Sequence, residues 1–509
     1  MASITATTAT AIGSIAAVIF AKIVWELFLS PLRAFPGPFL ARFTDAWRAY
    51  LATTGAFDRH QINWHRQWGS TVRIGPKTIS LSDPDLIKVV YASKNAWRKT
   101  DMYRPNDIVL NGQRISNMFN TQDKAFHDKH TKPIGGFWTL SKVLEAEPLV
   151  DETLREFVRK LNQEFVEKDA VCMMDDWISY FTWDATANVS WGKTYGFIEE
   201  GKDIAGIINE SNAALKYFAP VSQMPWLDNL LDKNPLFRIG PKPLVNGFLY
   251  TVRIFTEYKD QVTSTGLKWK DQDLFIDKYN SLKEKYDFVD DQQVITWLMA
   301  SVLAGGDSTS GAVRPVFYYL AKNEDKYEKL VRELEGARLE VPAQWRDLIK
   351  LPYLDACIKE ASRLSPGVGL TLEREVPAGG FTLPDGRFIS TGTNVGLNPA
   401  VVNRDEGVFG DKVDEYIPER WLQTPGESDT EYSKRARRMQ ETHDLMFGAG
   451  SRICLGRHLA KMEMYKLVAT LYSTYDIVLK DPEHEWKYNN QWFMFHSDIP
   501  MVLTPRATS

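Results

Sequence analysis

The spacing of apolar residues predicts helices over most of the chain. Between residue 85 and about residue 370 most windows repeat apolar positions at helical spacing; in "QVITWLMASVLAGGDSTSGAVRPVFYYLAK", Val294, Leu298 and Val302 mark one face. "STVRIGPKTISLSDP" instead predicts two short strands, because β-branched residues flank a Gly-Pro turn. Strand and turn residues return near "REVPAGGFTLPDGRFISTGTNV" and over residues 486–505. The pattern predicts a mainly α fold with minor β-sheets.

The N-terminal segment, residues 1–30, is apolar. Met1 to Ala21 carries no charged side chain, and apolar residues continue after Lys22 and Glu26. Because a membrane-spanning helix needs about 20 apolar residues, the segment is just long enough for a membrane anchor. A cleaved secretion signal is the alternative. The first basic residues follow the apolar stretch instead of preceding it, however, which favours a retained anchor with most of the chain on the cytoplasmic side.

A proline-rich stretch follows the apolar segment. "SPLRAFPGPF" contains Pro31, Pro36 and Pro38, which prevent continued helix and stiffen the chain. It predicts a hinge over residues 31–40. No low-complexity linker or internal repeat interrupts residues 41–509. The sequence therefore predicts one large domain there, although length alone would suggest about three.

Composition narrows the functional classes. The chain has 509 residues, is 44% hydrophobic, and carries 61 Lys+Arg against 65 Asp+Glu, which gives no sign of a nucleic-acid-binding protein. Its 16 Trp and 26 Phe indicate a large apolar interior that can hold a bulky ligand. The three cysteines, Cys172, Cys357 and Cys454, are far apart and odd in number. They predict a reducing compartment and no disulfide framework.

One cysteine stands in an unusual loop, "FGAGSRICLG", residues 447–456. Cys454 could be a small core residue between Ile453 and Leu455, since free cysteine is often buried. A dinucleotide-binding loop is excluded, because Ile453 occupies the third glycine position of G-x-G-x-x-G. The remaining alternative is a metal-ligating cysteine, in a loop whose glycines let a flat cofactor lie against the backbone.

The helix over residues 294–320 contains residues that a plain core helix avoids. Its middle is "AGGDST", residues 304–309. Each glycine costs about 1 kcal/mol relative to alanine, and serine and threonine compete for backbone hydrogen bonds. One interpretation is a kinked helix with a solvated acid. The other is a local opening in a buried helix, which presents an acid and an alcohol to a small ligand.

A charge cluster is predicted farther along the chain. In "YLDACIKEASRLSP", Glu360 and Arg363 are three residues apart and are therefore neighbours on one helix face, as in many exposed ion pairs. "YIPERWL" supplies Arg420. A glutamate shared by two arginines is one way in which such a cluster survives burial. Cys357, on the same helix, is predicted to pack in the core.

Together these motifs resemble a known family. "FGAGSRICLG" matches F-x-x-G-x-R-x-C-x-G, "EASR" matches E-x-x-R, "PERW" matches the motif that supplies the second arginine, and "AGGDST" is similar to the oxygen-activating helix signature. In this order they resemble the heme-thiolate cytochrome P450 monooxygenases, over nearly the whole chain after the anchor. "PLRAFPGPF" and "SQMPWLDNLLDKNP" further resemble the fungal microsomal group that includes pisatin demethylases and benzoate hydroxylases.

The resemblance implies both a fold and a cofactor. It implies a single large, mainly α heme-thiolate cytochrome domain with minor β-sheets, behind the N-terminal membrane anchor, which binds heme b (iron protoporphyrin IX). Cys454, as a thiolate, is implied as the axial ligand of the iron. Gly450 and Gly456 are implied to let the loop approach the porphyrin, and Phe447 to pack over it.

The resemblance also implies basic partners for the heme propionates, namely Arg452, Arg374 and Lys132. In "DKAFHDKHTKPIGGFW", His127 fits a position where the family has histidine or tryptophan. Thr131 stands four residues later, where the family has a basic residue, and Lys132 is the nearby cation carried over in its place. The alternative for this segment is a solvated basic face.

Asp307 and Ser308 are implied as the catalytic pair that relays protons to dioxygen. Threonine is usual at the second position; serine keeps the hydroxyl but lacks the methyl group that restricts its rotamer. The implied reaction inserts one atom of dioxygen into a hydrophobic small molecule, by hydroxylation or a related oxidation, in fungal secondary metabolism. A heme-thiolate isomerase or dehydratase usually abandons this pair, and a non-catalytic heme-binding sensor would not need it.

By family analogy, the substrate pocket is lined by apolar and aromatic residues, which favours a hydrophobic small molecule. The residues concerned are Ile115, Met118, Phe119, residues 367–371, Trp492 and Phe493.

Electrons are predicted to come from another protein, because the chain has no flavin or nicotinamide fingerprint and no cysteine cluster for an iron–sulfur centre. An NADPH-dependent diflavin reductase is the predicted partner, at the endoplasmic reticulum membrane, with the catalytic domain facing the cytosol. "SKRARRMQ" places Lys434, Arg435, Arg437 and Arg438 shortly before the cysteine loop. They predict either a docking patch for the acidic reductase or a solvated loop.

Overall fold

Helices dominate the structure. The computed structural model describes residues 13–14, 16–110, 113–241 and 244–506. Its α-helices are α1 (residues 13–14 and 16–24), α2 (Ala46–Thr53), α3 (Phe57–Trp68), α4 (Ile87–Val90), α5 (Lys124–Gly135), α6 (Leu140–Leu144), α7 (Glu147–Leu161), α8 (Met174–Trp191), α9 (Phe197–Glu200), α10 (Ile207–Ser222), α11 (Val245–Thr265), α12 (Phe275–Asn280), α13 (Asp291–Lys322), α14 (Glu324–Ala337), α15 (Trp345–Leu348), α16 (Pro352–Leu364), α17 (Pro399–Val402), α18 (Glu406–Phe409), α19 (Asp429–His443) and α20 (Arg457–Thr474).

Short strands form several small sheets. They are β1 (Thr71–Gly75), β2 (Thr78–Leu81), β3 (Ile108–Leu110), β4 (Gln113–Ile115), β5 (Cys172–Met173), β6 (Arg374–Glu375), β7 (Phe381–Thr382), β8 (Phe388–Ile389), β9 (Asn394–Leu397), β10 (Tyr475–Leu479), β11 (Lys487–Gln491), β12 (Phe493–Ser497) and β13 (Pro500–Pro505). One sheet has the order β1-β2-β9-β6, with β2 and β9 parallel and the other pairs antiparallel; another has the order β10-β13-β5. The predicted mainly α fold with minor β-sheets is confirmed.

The long helix α13 forms the centre of the protein. Its N-terminus is capped by Asp290, whose side chain accepts a hydrogen bond from the backbone N–H of Gln293, 2.8 Å away. Its buried face packs against α8, α16 and α20. The helix continues without a break through "AGGDST" and through Pro315. The local opening that the sequence predicts is therefore not an interruption of the backbone.

The predicted charge cluster lies in the core behind the cysteine loop. Glu360 and Arg363 are both fully buried and form a two-point ion pair, with N–O distances of 2.8 and 2.9 Å. Arg420 binds the same carboxylate at 2.8 Å, and Trp421 donates its indole N–H to it at 2.9 Å. Burial opposes ionisation of Glu360, but the two arginines outweigh it and lower its pKa. The glutamate shared by two arginines is confirmed.

The predicted membrane anchor lies only partly within the described residues, because residues 1–12 and 15 fall outside them. Over the described ranges no helix is both long and apolar enough to span a membrane. The predicted proline-rich hinge, residues 31–40, packs against β1: the N–H of Arg73 donates to the carbonyl of Pro36 at 2.7 Å. The Arg73 guanidinium also pairs with Glu26 at 2.6 Å, and both side chains are buried.

Candidate active site

The cysteine loop lies between a short turn, Asp444–Phe447, and the start of α20. The N–H of Cys454 donates to the carbonyl of Phe447 at 2.7 Å, which closes the loop. Gly450 has φ +64°, and a Cβ there would lie 1.8 Å from the carbonyl oxygen of Tyr91. Only glycine fits such an approach. The structure therefore explains Gly450 by packing against the end of α4, whereas the sequence interpretation explained it by approach to a cofactor.

The thiol of Cys454 is accessible, whereas Cys172 and Cys357 are buried. Burial of its surroundings nevertheless raises the pKa of the Cys454 thiol, while the N–H groups of Gly456 and Arg457 lower it. A side chain that is accessible yet poorly solvated lies on the wall of an internal cavity. Gly456 has an ordinary φ of −76°, so the protein backbone alone does not require glycine there.

One face of α13 is also open. Most of the helix is buried, yet Ala304 is exposed and Ser301 and Ser308 are partly exposed. These residues are three and four positions apart and therefore share one face. The predicted local opening is therefore a set of accessible side chains on one face of a continuous helix. It supports the functional interpretation of "AGGDST" over the kinked helix.

A path of contacts connects the cysteine loop to this open face. A Cβ at Gly456 would lie 4.0 Å from the Cys454 Sγ and 3.6 Å from the ring of Trp138. The Trp138 indole donates to the hydroxyl of Tyr279 at 3.1 Å, and that hydroxyl lies 3.2 Å from the Ser301 Oγ. The thiol and the open face of α13 are therefore linked through Trp138 and Tyr279.

Aromatic side chains cover the cavity on another side. A Cβ at Gly367 would lie 3.4 Å from the carbonyl oxygen of Ser308, and the N–H of Gly369 donates to the carbonyl of Trp492 at 2.8 Å. The rings of Trp492 and Phe119 are 5.5 Å apart, edge to face. Trp492 has φ +95°, which is strained for a bulky residue. The predicted pocket segments near residues 119, 367 and 492 therefore do meet above α13.

Three cations lie in or beside the loop, and we call Lys99, Arg374 and the partly exposed Arg452 the basic cluster. Lys99 and Arg374 are 6% and 5% exposed. Hydrogen bonds from the three side chains go to the carbonyl oxygens of Phe119, Glu373 and Met118, and none of them forms an ion pair within the described residues. Burial and Arg374 lower the pKa of Arg452 to about 10. Burial, followed by Arg374 and Arg452, lowers the pKa of Lys99.

Lys99 is a site residue that the sequence analysis missed. It follows Arg98 in "NAWRKTDMY", and no motif or periodicity distinguishes it there. Lys132, which the sequence analysis selected, is not brought into the basic cluster: its side chain is 77% exposed and its ammonium lies 3.5 Å from Asp128. His127 does lie close enough to Arg452 for the two to interact, since burial and then Arg452 lower its pKa to about 4.

Asp307 and Ser308 do not bind each other. The hydroxyl of Ser308 donates to the carbonyl of Ala304 at 2.6 Å, on the cavity side of α13. The carboxylate of Asp307 is 2% exposed and accepts hydrogen bonds from Trp183 of α8 and Ser211 of α10. The predicted pair is therefore adjacent in sequence, but its two side chains face different surroundings.

The chemistry of the cavity fits heme. Across the described ranges no group of three or more His, Cys, Asp or Glu side chains could hold a metal ion, and Cys454 offers a single accessible thiol. The basic cluster offers positive charge to a cofactor that carries carboxylates, and buried cations without counter-ions are costly. A macrocycle with two propionates and an iron that accepts one thiolate meets both demands.

Comparisons with known proteins agree with this geometry. The family model described as Cytochrome P450 matches residues 53–503. Cytochrome P450 monooxygenase cfoH of Aspergillus candidus is 34% identical over 96% of this chain and 92% of its own length. A cytochrome P450 monooxygenase of Aspergillus flavus is 36% identical over 91% of this chain and 90% of its own. Cytochrome P450 monooxygenase cicH of Emericella nidulans is 33% identical over 92% of this chain and 93% of its own length. Members of this family bind heme b through a cysteine thiolate. The chain belongs to the cytochrome P450 family, as a monooxygenase and hence an oxidoreductase.

Proposed function

We propose that this monooxygenase inserts one atom of dioxygen into a hydrophobic small molecule, by hydroxylation or a related oxidation, in fungal secondary metabolism. The cavity between the thiol of Cys454, the open face of α13 and the aromatic side chains of Phe119 and Trp492 supports this most directly. Phe119 and Trp492 are apolar and aromatic, which favours a hydrophobic substrate over a charged one.

Heme b would be held from two sides. Cys454 would ligate the iron through its thiolate, Phe447 and Gly456 of the same loop would contact the cofactor, and Gly450 would let the loop keep its path against Tyr91. The basic cluster would bind the propionates, because its cations have no carboxylate partners among the described residues. When bound, heme b supplies the one-electron and dioxygen chemistry. The loop contributes the thiolate sulfur, whose N–H neighbours at Gly456 and Arg457 favour the ionised form.

Asp307 and Ser308 would deliver protons to the reacting oxygen. The hydroxyl of Ser308 faces the cavity and can donate its proton there once it leaves the carbonyl of Ala304. Asp307 would replace that proton from the interior. Because the two side chains do not bind each other, transfer between them requires a bridging water or a rotation of the Asp307 carboxylate.

A membrane-bound arrangement would bring the electron donor close. We propose that residues 1–30 attach the protein to the endoplasmic reticulum membrane, with residues 31–40 as the connection and residues 41–509 as the catalytic domain in the cytosol. There an NADPH-dependent diflavin reductase would supply electrons. The exposed apolar side chains of Val18, Phe20 and Trp25 support the attachment, and they belong to the segment that leads into residues 31–40.

The test is to disrupt the gene in its fungal host and compare the metabolites of the two strains. The compound that accumulates is then incubated with microsomes that contain this protein, the reductase and NADPH, under isotope-labelled dioxygen. One labelled oxygen atom in the product is expected. Conversion without labelled oxygen would instead indicate an isomerase or dehydratase, and no conversion would indicate a non-catalytic heme protein.

A further inference from the structure

Two glycines let α8 lie directly against α13. A Cβ at Gly305 would lie 2.8 Å from the methyl carbon of Thr186, and one at Gly306 would lie 2.5 Å from the ring of Trp183. The hydroxyl of Thr182 donates to the carbonyl of Gly306 at 2.9 Å. The indole of Trp183 therefore occupies the space that a side chain at residue 306 would need, one position before Asp307.

Trp183 and Ser211 hold the Asp307 carboxylate from two helices. The indole N–H of Trp183, on α8, donates to Asp307 Oδ1 at 3.1 Å. The hydroxyl of Ser211, on α10, donates to Asp307 Oδ2. Trp183 is fully buried and Ser211 is 6% exposed, so water does not compete for either bond. The carboxylate is fixed on the side of α13 that faces α8 and α10.

Both of these partners are neutral. Within the described residues no Lys, Arg or His lies within ion-pair distance of Asp307; the charged groups that act on it from farther away are Arg314, on the same helix, and Asp203, which precedes α10. Burial raises the pKa of Asp307 to about 6, and the hydrogen bonds from Ser211 and Trp183 limit that rise. An acid with a pKa close to the working pH both accepts and releases protons.

We propose that Trp183 and Ser211 are positioning residues for proton delivery, which hold the Asp307 carboxylate between α8 and α10 and set its affinity for protons. This inference rests on the proposed function, because it gives Asp307 a part in proton transfer. Gly306 belongs to the same arrangement, since any larger residue there displaces the indole.

An infrared titration of the full-length, heme-loaded protein with isotope-labelled aspartate tests this. Each protein is measured against its own Asp307→Asn counterpart, so that the difference spectrum isolates the carboxyl band of Asp307. The wild-type midpoint is expected near pH 6. Trp183→Phe keeps a ring beside Gly306 but donates no hydrogen bond, and should raise the midpoint by about one pH unit. Ser211→Ala should raise it as well.

Trp191→Phe is the matched control. Trp191 is also fully buried on α8, but its indole nitrogen has no hydrogen-bond partner among the described residues. Its midpoint should equal that of the wild type. Unchanged midpoints in both Trp183→Phe and Ser211→Ala would overturn the proposal, as would an equal rise in Trp191→Phe. If Trp183→Phe does not fold, Ser211→Ala alone decides.

A separate assay distinguishes failure of the proposed function from failure of the positioning role. With the reductase, NADPH and ethoxycoumarin as a hydrophobic probe, Asp307→Asn should release more hydrogen peroxide per NADPH than the wild type. An unchanged ratio would remove Asp307 from proton delivery, whatever the infrared midpoints are. A raised ratio together with unchanged midpoints in the Trp183 and Ser211 variants would overturn only the positioning role.

Discussion

The carboxylate of Glu373 faces Arg48, with 2.7 Å between Oε1 and Nη1, although the next residue in the chain is Arg374. Its other oxygen accepts a hydrogen bond from Thr100 at 2.9 Å. Glu373 is therefore already paired and does not neutralise the basic cluster. The basic cluster, of which Lys99 and Arg374 are buried, has no carboxylate counter-ion among the described residues, and an unpaired buried charge is costly. The propionates of heme are the anions that fit this demand.

Removing one cation of the basic cluster should weaken heme retention. Lys99→Met keeps the length of the side chain but removes the charge, and a hydrogen bond to a charged group contributes about 2 kcal/mol. We therefore expect heme to leave the variant more than about tenfold faster, measured by its transfer to an excess of an apo-globin.

Lys132→Met is the control for this prediction, because the Lys132 side chain is 77% exposed. It should lose heme at the wild-type rate. Faster loss from Lys132→Met than from Lys99→Met would show that the sequence-based choice of propionate partner is right and that Lys99 is only a buried residue near the site.

The thiol of Cys454 should determine the spectrum of the reduced protein under carbon monoxide. The red-shifted Soret band that is typical of a thiolate ligand is expected in the wild type and should be lost in Cys454→Ser. Cys357→Ala, which changes a fully buried core cysteine, should keep the band. Retention of the band in Cys454→Ser would refute the assignment of the ligand.

Glu463 of α20 should make the protein less stable as the pH rises. It is 1% exposed, and burial raises its pKa to about 8 while the hydrogen bond with Thr186 lowers it. The folded protein therefore keeps a proton that the unfolded chain releases above the ordinary value of 4.5. The contribution of Glu463 to the free energy of unfolding falls between these two pKa values, by up to about 1.4 kcal/mol per pH unit.

Urea unfolding at about pH 6.5 and 7.5 tests this, because the interval lies between the two pKa values of Glu463. Asp307 and Asp184, with pKa values raised to about 6, contribute mainly at lower pH. Burial also lowers the pKa of several histidines, among them His65, His127 and His496, and these groups raise stability as the pH rises through the same interval. Glu463→Gln carries no titrating proton, so the difference in free energy of unfolding between the wild type and the variant isolates Glu463 and should fall from the lower to the higher pH. The same difference at both pH values would show that Glu463 is ionised in the folded protein.

The sequence predicted those parts of the site that depend on local spacing. Glu360 and Arg363 are one helical turn apart, so their pairing follows from the helix alone, and the loop around Cys454 is contiguous. The partners of Asp307 were not predictable in this way. Trp183 is 124 residues away and Ser211 is 96 residues away, on helices whose packing the sequence does not state.

The sequence contained one indication of helix packing that the prediction did not use. The second glycine of "AGGDST", Gly306, indicates close approach of another helix, and the structure shows that this helix is α8. Lys99 gave no comparable signal, because a buried lysine is recognised only when its surroundings are known. Arg435 was also misleading in isolation, since its charge suggested an exposed residue.

The structure divides the basic segment of α19 into two parts. Arg435 binds Glu427 at 2.7 Å and donates to the carbonyls of Arg420 and Leu422, so it holds the chain before α19 in place. Lys434 and Arg437 are exposed. If the segment is a docking patch for the reductase, these exposed residues carry the function and Arg435 supports the fold.

Lys434→Glu with Arg437→Glu should raise the reductase concentration needed for half-maximal oxidation of ethoxycoumarin. The same variant should show unchanged turnover with added peroxide, which needs no reductase. The effect should shrink at high salt, because exposed charges are screened within about 10 Å at 0.1 M.

Lys202→Glu with Arg253→Glu makes the same charge change at exposed residues of other segments and should leave both assays unchanged. Arg435→Glu should lower both activities, because it breaks contacts within the protein. Wild-type behaviour of the Lys434 and Arg437 variant in both assays would mean that α19 offers only a solvated surface.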